Sequence, residues 1–327
     1  FDSNNICLMC RNSSRVDSSM DIKMKIAFFS ETGNNQRYMR DFPNARTEVA
    51  WCLALDAPMC SLSALPNEKF DLGIVIIPKN NPNISLDFIR GCCDKVAVMQ
   101  EGPHWYFQDY QIDNQFHYFN TLMEADWVYC HNISDIQYYK GLGCKDVRVM
   151  RSLMIPEGLV PRSEWGDVTM IGGNFVSWYG GFDSYMVARN IGNPIHSPSM
   201  GRKQKQEDMI EDIHYLPYLS WRDWIMTLGD YNIGVHLMRT HAAGTFAMNC
   251  AFHGIPCIGY YGLDTQEFLH PTTSVNVGDL EKAKEIADKL RDDSDFYDEC
   301  SKTSKTFFKK FYTEEAWKHH WNKQFIL

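Results

Sequence analysis

No stretch of this 327-residue chain approaches the roughly 20 consecutive apolar residues that a membrane-spanning helix requires. There is no low-complexity tract and no internal repeat of solenoid period, which removes fibrous and repeat architectures. Basic residues are not in excess. With 32 Lys and Arg against 41 Asp and Glu the net charge is −9, which argues against a general affinity for phosphate backbones. A local basic groove stays open, with Arg148, Arg151, Arg162 or the lysines of residues 302–310 as its candidates. Three catalytic signatures are missing: the Gly-x4-Gly-Lys-Ser/Thr phosphate loop, the Gly-x-Ser-x-Gly elbow, and a Gly-x-Gly-x-x-Gly turn after the first apolar strand. Nucleotide hydrolysis on a phosphate loop, serine hydrolysis and dinucleotide-dependent hydride transfer lose their usual sequence support. No Asp-x-Asp follows a strand, so no essential divalent ion is expected. Disulfides are not indicated either. The 11 cysteines are odd in number and scattered, and Cys52, Cys130, Cys250 and Cys257 sit inside apolar segments. Buried, reduced thiols and a cytoplasmic setting are the expectation. Cys7-x-x-Cys10 has no second half and does not make a zinc site.

What is present is an ordinary globular composition, 44% apolar and 22% charged, at a length that accommodates two cores. Residues 1–23 are polar and read as an upstream extension or a disordered tail. From there, short apolar runs alternate with helical patterns. Residues 25–30, 71–77, 95–99, 125–130 and 147–150 read as strands, and 47–55, 86–92 and 134–142 as helices. The stretch after Met99 is rich in aromatic residues. Residues 156–166 carry Pro156, Gly158, Pro161 and Gly166 and read as a linker. The alternation then restarts at residues 168–171. It continues through a helix at 185–190, a helix at 221–228 and a strand at Ile233, and later a strand at 273–277. Asp279 caps a helix whose Leu280, Ala283, Ala287 and Leu290 share a face, and Thr313 starts a last helix carrying Trp317, Trp321 and Phe325. Strands alternating with helices imply parallel sheets covered on both faces.

The most informative segment runs from Asn232 to Tyr260. Ile233, Val235 and Leu237 alternate as in a strand, residues 240–245 form a small polar loop, and residues 246–253 are apolar enough for a buried helix stopped by Gly254 and Pro256. A strand, a small-residue loop and a helix N-terminus together make an anion site, because free amides and the helix dipole point the same way. A diphosphate among His241, Gly244 and Thr245 is the expected guest.

These residues carry a family resemblance. His241-x7-Asn249 followed by Gly254-x-Pro256 resembles the donor motif of GT-B glycosyltransferases, in which a His or Glu precedes an acidic residue at this spacing. The resemblance implies an α/β chain of two doubly wound Rossmann-like domains facing a cleft. Residues 24–158 would form the acceptor-side domain and 167–305 the nucleotide-sugar domain, with 306–327 a helix packing back toward the first. It implies transfer of a sugar from a nucleotide-diphosphate donor, a UDP-sugar by expectation, with no other cofactor and no metal. The first motif position would meet the phosphates or sugar and the second the ribose. Here the second is Asn249, which can still bond a hydroxyl.

Around them, Gly172, Gly173 and Asn174 let backbone approach phosphate, and Arg239 is a nearby cation. Arg202, Lys203 and Lys205 lie on a loop that could fold over the donor or simply be solvated. Tyr218 and Leu219 stand where such proteins present a loop to the base, with core packing the other reading of both. On the acceptor side, Glu101 and His104 follow the strand 95–99 and are candidate bases, with Asp109 one turn on. Gly33 and Asn34 follow the first strand. The aromatic run also looks like glycosyltransferases of phage and marine metagenomic origin. Two acceptors stay open, a glycan and a hydroxymethylated base in phage DNA, with the host cytoplasm as the expected setting. Stereochemistry stays open, with a His in the first motif position leaning toward inversion. A non-catalytic nucleotide-sugar or glycan-binding protein on the same fold, and a sugar-nucleotide isomerase, are the rivals.

Overall fold

The computed structural model describes residues 24–78, 84–100, 102–162, 166–176, 178–198, 207 and 209–325. The tail at residues 1–23, with Cys7 and Cys10, lies outside the described residues.

Two parallel six-stranded sheets organise the chain. The first contains β1 (Ile26–Ser30), β2 (Met59–Ser61), β3 (Phe70–Ile77), β4 (Cys93–Gln100), β5 (Trp127–Cys130) and β6 (Val147–Val149), in the order β2-β1-β3-β4-β5-β6. Helices α1 (Glu48–Leu55), α2 (Leu86–Arg90), α3 (Ile112–Glu124) and α4 (Ile136–Leu142) connect them. The second contains β7 (Thr169–Ile171), β8 (Ile195–Ser197), β9 (Ile213–Tyr215), β10 (Ile233–His236), β11 (Cys257–Tyr260) and β12 (Ser274–Val275), in the order β12-β11-β10-β7-β8-β9. Its helices are α5 (Gly181–Ile191), α6 (Trp221–Leu228), α7 (Thr245–His253) and α8 (Asp264–Leu269). Then come α9 (Leu280–Asp292), α10 (Ser294–Phe311) and α11 (Glu314–Lys323). Strand order reverses between β1 and β3 in one sheet and between β7 and β10 in the other, and such reversals open crevices at strand C-termini.

The strands form where the sequence is apolar on both faces. In β3, FDLGIVII, every residue except Asp71 is buried, as a central parallel strand demands. Helix starts are set by side-chain caps: Ser220 accepts from Asp223 N, Asp279 from Lys282 N, and Thr313 from Ala316 N. The nine described cysteines are buried and free. Among the described residues, no helix is long and apolar enough to cross a membrane.

One apolar cluster joins the halves. It unites Phe28, Trp51, Ile74 and Tyr129 of the first lobe with Trp221, Met248 and Phe252 of the second, with Phe308, Trp317 and Trp321 of the last two helices, and with Tyr312 between them. The stripe of α11 lies on the first sheet. Trp321 stacks on Tyr129 at 5.8 Å, Phe325 meets Trp127 edge-on at 6.1 Å, and the Arg148 guanidinium sits 4.2 Å over the Trp127 ring. Arg40 of the first lobe holds Glu314 in a paired hydrogen bond at 2.8 and 2.9 Å, which fixes the start of α11.

Candidate active site

Two glycines shape this region, one in the loop after β10 and one in the turn after β11. Gly244 stands at φ 63° immediately before α7, and a Cβ there would fall 2.2 Å from Oγ1 of Thr265, the hydroxyl that donates to the Gly244 carbonyl at 2.8 Å. Gly262 stands at φ 119°, and a Cβ there would fall 2.2 Å from Nε2 of His241. No side chain caps α7. Its first-turn amides therefore keep the anion-binding capacity of a helix N-terminus. Residues Phe246 to His253 of this helix are buried, so its position is fixed by packing.

His241 lies on the seam between the lobes. Its Nδ1 is 3.1 Å from Oδ1 of Asp135, at the end of the short turn Ile133–Asp135 that follows β5. The same carboxylate oxygen lies 3.4 Å from Nδ1 of His104, and its other oxygen accepts from Asn132 Nδ2 at 3.1 Å. The two imidazoles face each other edge-on with centroids 6.3 Å apart, and His104 rests against the Tyr138 ring at 4.0 Å. Burial works to raise the Asp135 pKa, yet bonds from His104, His241 and Asn132 outweigh it and hold the carboxyl well below its usual range. The contact with Asp135 in turn raises the His241 pKa.

A second set of bonds crosses the seam beside it. Ile133 N donates to both Asp264 carboxylate oxygens at 3.1 Å, and Asp264 N donates to Asn132 Oδ1 at 3.0 Å. Asn132 Nδ2 also donates to the Ala242 carbonyl at 3.1 Å. Burial pushes the Asp264 carboxyl up to about 7.

At the strand reversal of the second sheet, the His236 ring occupies the space that a Cβ on Gly172 would need, within 2.5 Å. His236 packs edge-on to Phe246 at 5.2 Å, burial pushes its pKa down to about 4, and its Nε2 has no hydrogen-bond partner among the described residues. This buried imidazole stands at the C-terminal ends of β7 and β10, where the strand order reverses.

The architecture has counterparts among solved structures. Sucrose-phosphate synthase from Thermosynechococcus elongatus superposes with a TM-score of 0.69 at 11% identity, over 92% of this chain and 98% of that one. HepE from Anabaena, solved in complex with UDP-glucose, gives 0.64 at 10% identity, over 92% and 99%. TarM gives 0.61 at 10% identity over 78% of this chain, which spans only 55% of TarM's length. This chain has the GT-B fold. No protein-family model matches the sequence, and neither does any curated protein.

Within the GT-B frame the expected site residues fall into groups. His241, Gly244 and Thr245 lie together at the N-terminus of α7, and His104 meets them from the first lobe through Asp135. Gly172 and Gly173 follow β7, but their lack of a Cβ is required by His236 and by Tyr179, 2.8 Å away, as much as by any ligand. Asn174 is buried. Arg239 is exposed and paired with Asp183 at 2.9 Å, a carboxylate that also accepts from Tyr260. Tyr218 is 65% exposed, which sets aside core packing for it, and Leu219 is half-buried. Asn249 turns into the protein: with its amide oriented to suit its neighbours it donates to Thr245 O and accepts from Trp224 Nε1, both at 3.1 Å. Both ends of that amide are then occupied. Gly33 follows β1 and packs against the Cys60 carbonyl, and Asn34 beside it is exposed. Asp109 is exposed and takes no part in the Asp135 cluster. Glu101, like Arg202, Lys203 and Lys205, lies outside the described residues.

Sequence reasoning missed Asp135, Asn132 and Asp264. One signal was available: Asn132-x-x-Asp135 directly follows the C-terminus of β5, the same sheet edge that presents His104 after β4. Asp264 carried none, because its role depends on meeting a loop 131 residues away in the chain.

Proposed function

We propose that this chain is a glycosyltransferase that moves a sugar from a UDP-sugar to an acceptor hydroxyl. The observation that carries the reading is the meeting of the uncapped N-terminus of α7 and His241 with His104 of the opposite lobe, on a GT-B fold. The α7 amides and the His241 imidazolium stabilise charge on the departing diphosphate. The bond from anomeric carbon to phosphate oxygen breaks and UDP leaves with the electron pair. The acceptor oxygen bonds to the same carbon, and its proton passes to Nε2 of His104. His236, beneath the switch point, supplies a further neutral contact. A base on the lobe opposite the donor supports direct displacement, hence inversion.

The experiment is calorimetric binding of a panel of UDP-sugars, followed by transfer assays with glycans and with hydroxymethylated DNA as acceptors. One UDP-sugar is expected to bind, and His241→Ala to weaken that donor at least about tenfold while its circular dichroism matches the parent. Unchanged donor affinity in the variant removes the assignment. Donor binding without transfer or hydrolysis would instead favour a binding protein on this fold.

A further inference from the structure

We propose that Asp135 is a positioning residue acting across the seam: from the first lobe it fixes the His241 ring and holds it as an imidazolium for the donor diphosphate. This deepens the donor reading above and rests on it.

The geometry is specific. The Asp135 side chain is only 6% exposed, and His241 is 30% exposed, so a carboxylate shielded from water meets an imidazole that a ligand can still reach. Asn132 pins the second carboxylate oxygen, so the first is aimed rather than free to rotate. Asp135 takes Nδ1 of His241 and Gly262 packs beside Nε2, so the ring is held from two sides and a ligand meets it at its exposed part. A charge-assisted bond of this kind is roughly twice as strong as a neutral one. It forms only when the lobes are together, because the two residues belong to different sheets' loops.

The groups facing His241 favour a cation. Asp135 and Ser134 approach from the turn before α4, with Ser134 Oγ 3.4 Å from Nδ1, while Asp264 and Glu267 stand on α8. His104, from the loop after β4, is the competitor for the same carboxylate oxygen. His241 makes the closer contact with that oxygen, 3.1 Å against 3.4 Å for His104. Asp135 is itself faced by both imidazoles and Asn132, with Cys130, Tyr139 and Asp264 nearby.

The sign follows from the direction of the His241 shift. A raised value keeps the imidazolium beyond the ordinary histidine midpoint, so donor grip is complete in acid and fades as pH rises through the raised value. Asp135→Asn keeps shape but removes the charge, and the fade moves to lower pH. Two measurements test this. Selective histidine labelling and NMR give the His241 midpoint directly, without any donor. It is expected above about 6.5 in the parent and at least about one unit lower in Asp135→Asn. Calorimetry with UDP-glucose, whose diphosphate gains no proton in this range, is expected to show that variant weakened about tenfold near pH 7.5 and less than about threefold near pH 5.5. A parent midpoint below about 6.5 overturns the proposal even if the variant fails to fold. So do equal midpoints in parent and variant. Failure of any UDP-sugar to bind the parent protein rejects the donor reading, while binding that needs His241 but is indifferent to Asp135 at every pH rejects this inference alone.

Discussion

His104→Ala is expected to lower turnover by about 10²–10⁴-fold while leaving donor affinity within about twofold, the signature of a lost general base. The side chain is placed for that work. It is 21% exposed, its ring is held against Tyr138, and its Nδ1 faces the Asp135 carboxylate at 3.4 Å, which leaves Nε2 free for an acceptor proton. It also stands on the lobe opposite α7, with its ring centroid 6.3 Å from that of His241. Steady-state kinetics of the variant with the donor found by calorimetry decide the matter. Turnover within about tenfold of the parent removes His104 from the chemistry. The contrast with His241→Ala is part of the test. If His241→Ala keeps donor affinity and loses turnover, while His104→Ala does the reverse, the two imidazoles exchange roles.

The second large effect concerns the fold. Trp317→Ala is expected to destabilise the protein by about 3–5 kcal/mol, the range for deleting a large aromatic from a packed core. Trp317 is 1% exposed, stacks on Trp321 at 5.5 Å with 10° between planes, and donates its indole N–H to the Arg151 carbonyl at 2.8 Å. Trp51 of α1 donates to that same carbonyl at 2.9 Å, so the acceptor stays paired in the variant and the cost is mainly cavity and lost contact. Urea denaturation at constant m measures it. Trp317→Phe, which keeps most of the ring, should recover more than half of the loss. A loss below about 1 kcal/mol for the alanine variant would mean that α11 contributes little to joining the lobes.

Much of the fold was legible because parallel strands buried on both faces write themselves as apolar runs. Phe70–Ile77 and Ile233–His236 are of this kind. The elements that escaped notice share a cause. Met59–Ser61, Ile195–Ser197 and Ile213–Tyr215 are three-residue strands, too short for any periodicity to register. Ile112–Glu124 buries only Tyr118, Thr121 and Leu122, so its aromatic residues read as composition rather than as a helical face. Ser294–Phe311 is an 18-residue helix with a strong polar side that blends into the charged sequence around it.

The candidate site divides along the same line. The sequence by itself determined that a strand, a glycine-bearing loop and an apolar helix would present His241 at a helix N-terminus, because local chain chemistry sets all three. It also determined that His104 would follow a buried strand at the sheet's C-terminal edge. Only the tertiary structure decided that a carboxylate from a third loop, Asp135, would stand between those two imidazoles. It alone decided that Asn249 would spend its amide on Trp224 and Thr245. The physical reason is range. Backbone propensity and capping act over a few residues, whereas ion pairing and amide satisfaction depend on which side chains the closure of two separate sheets brings within hydrogen-bond distance, and no local pattern encodes that meeting.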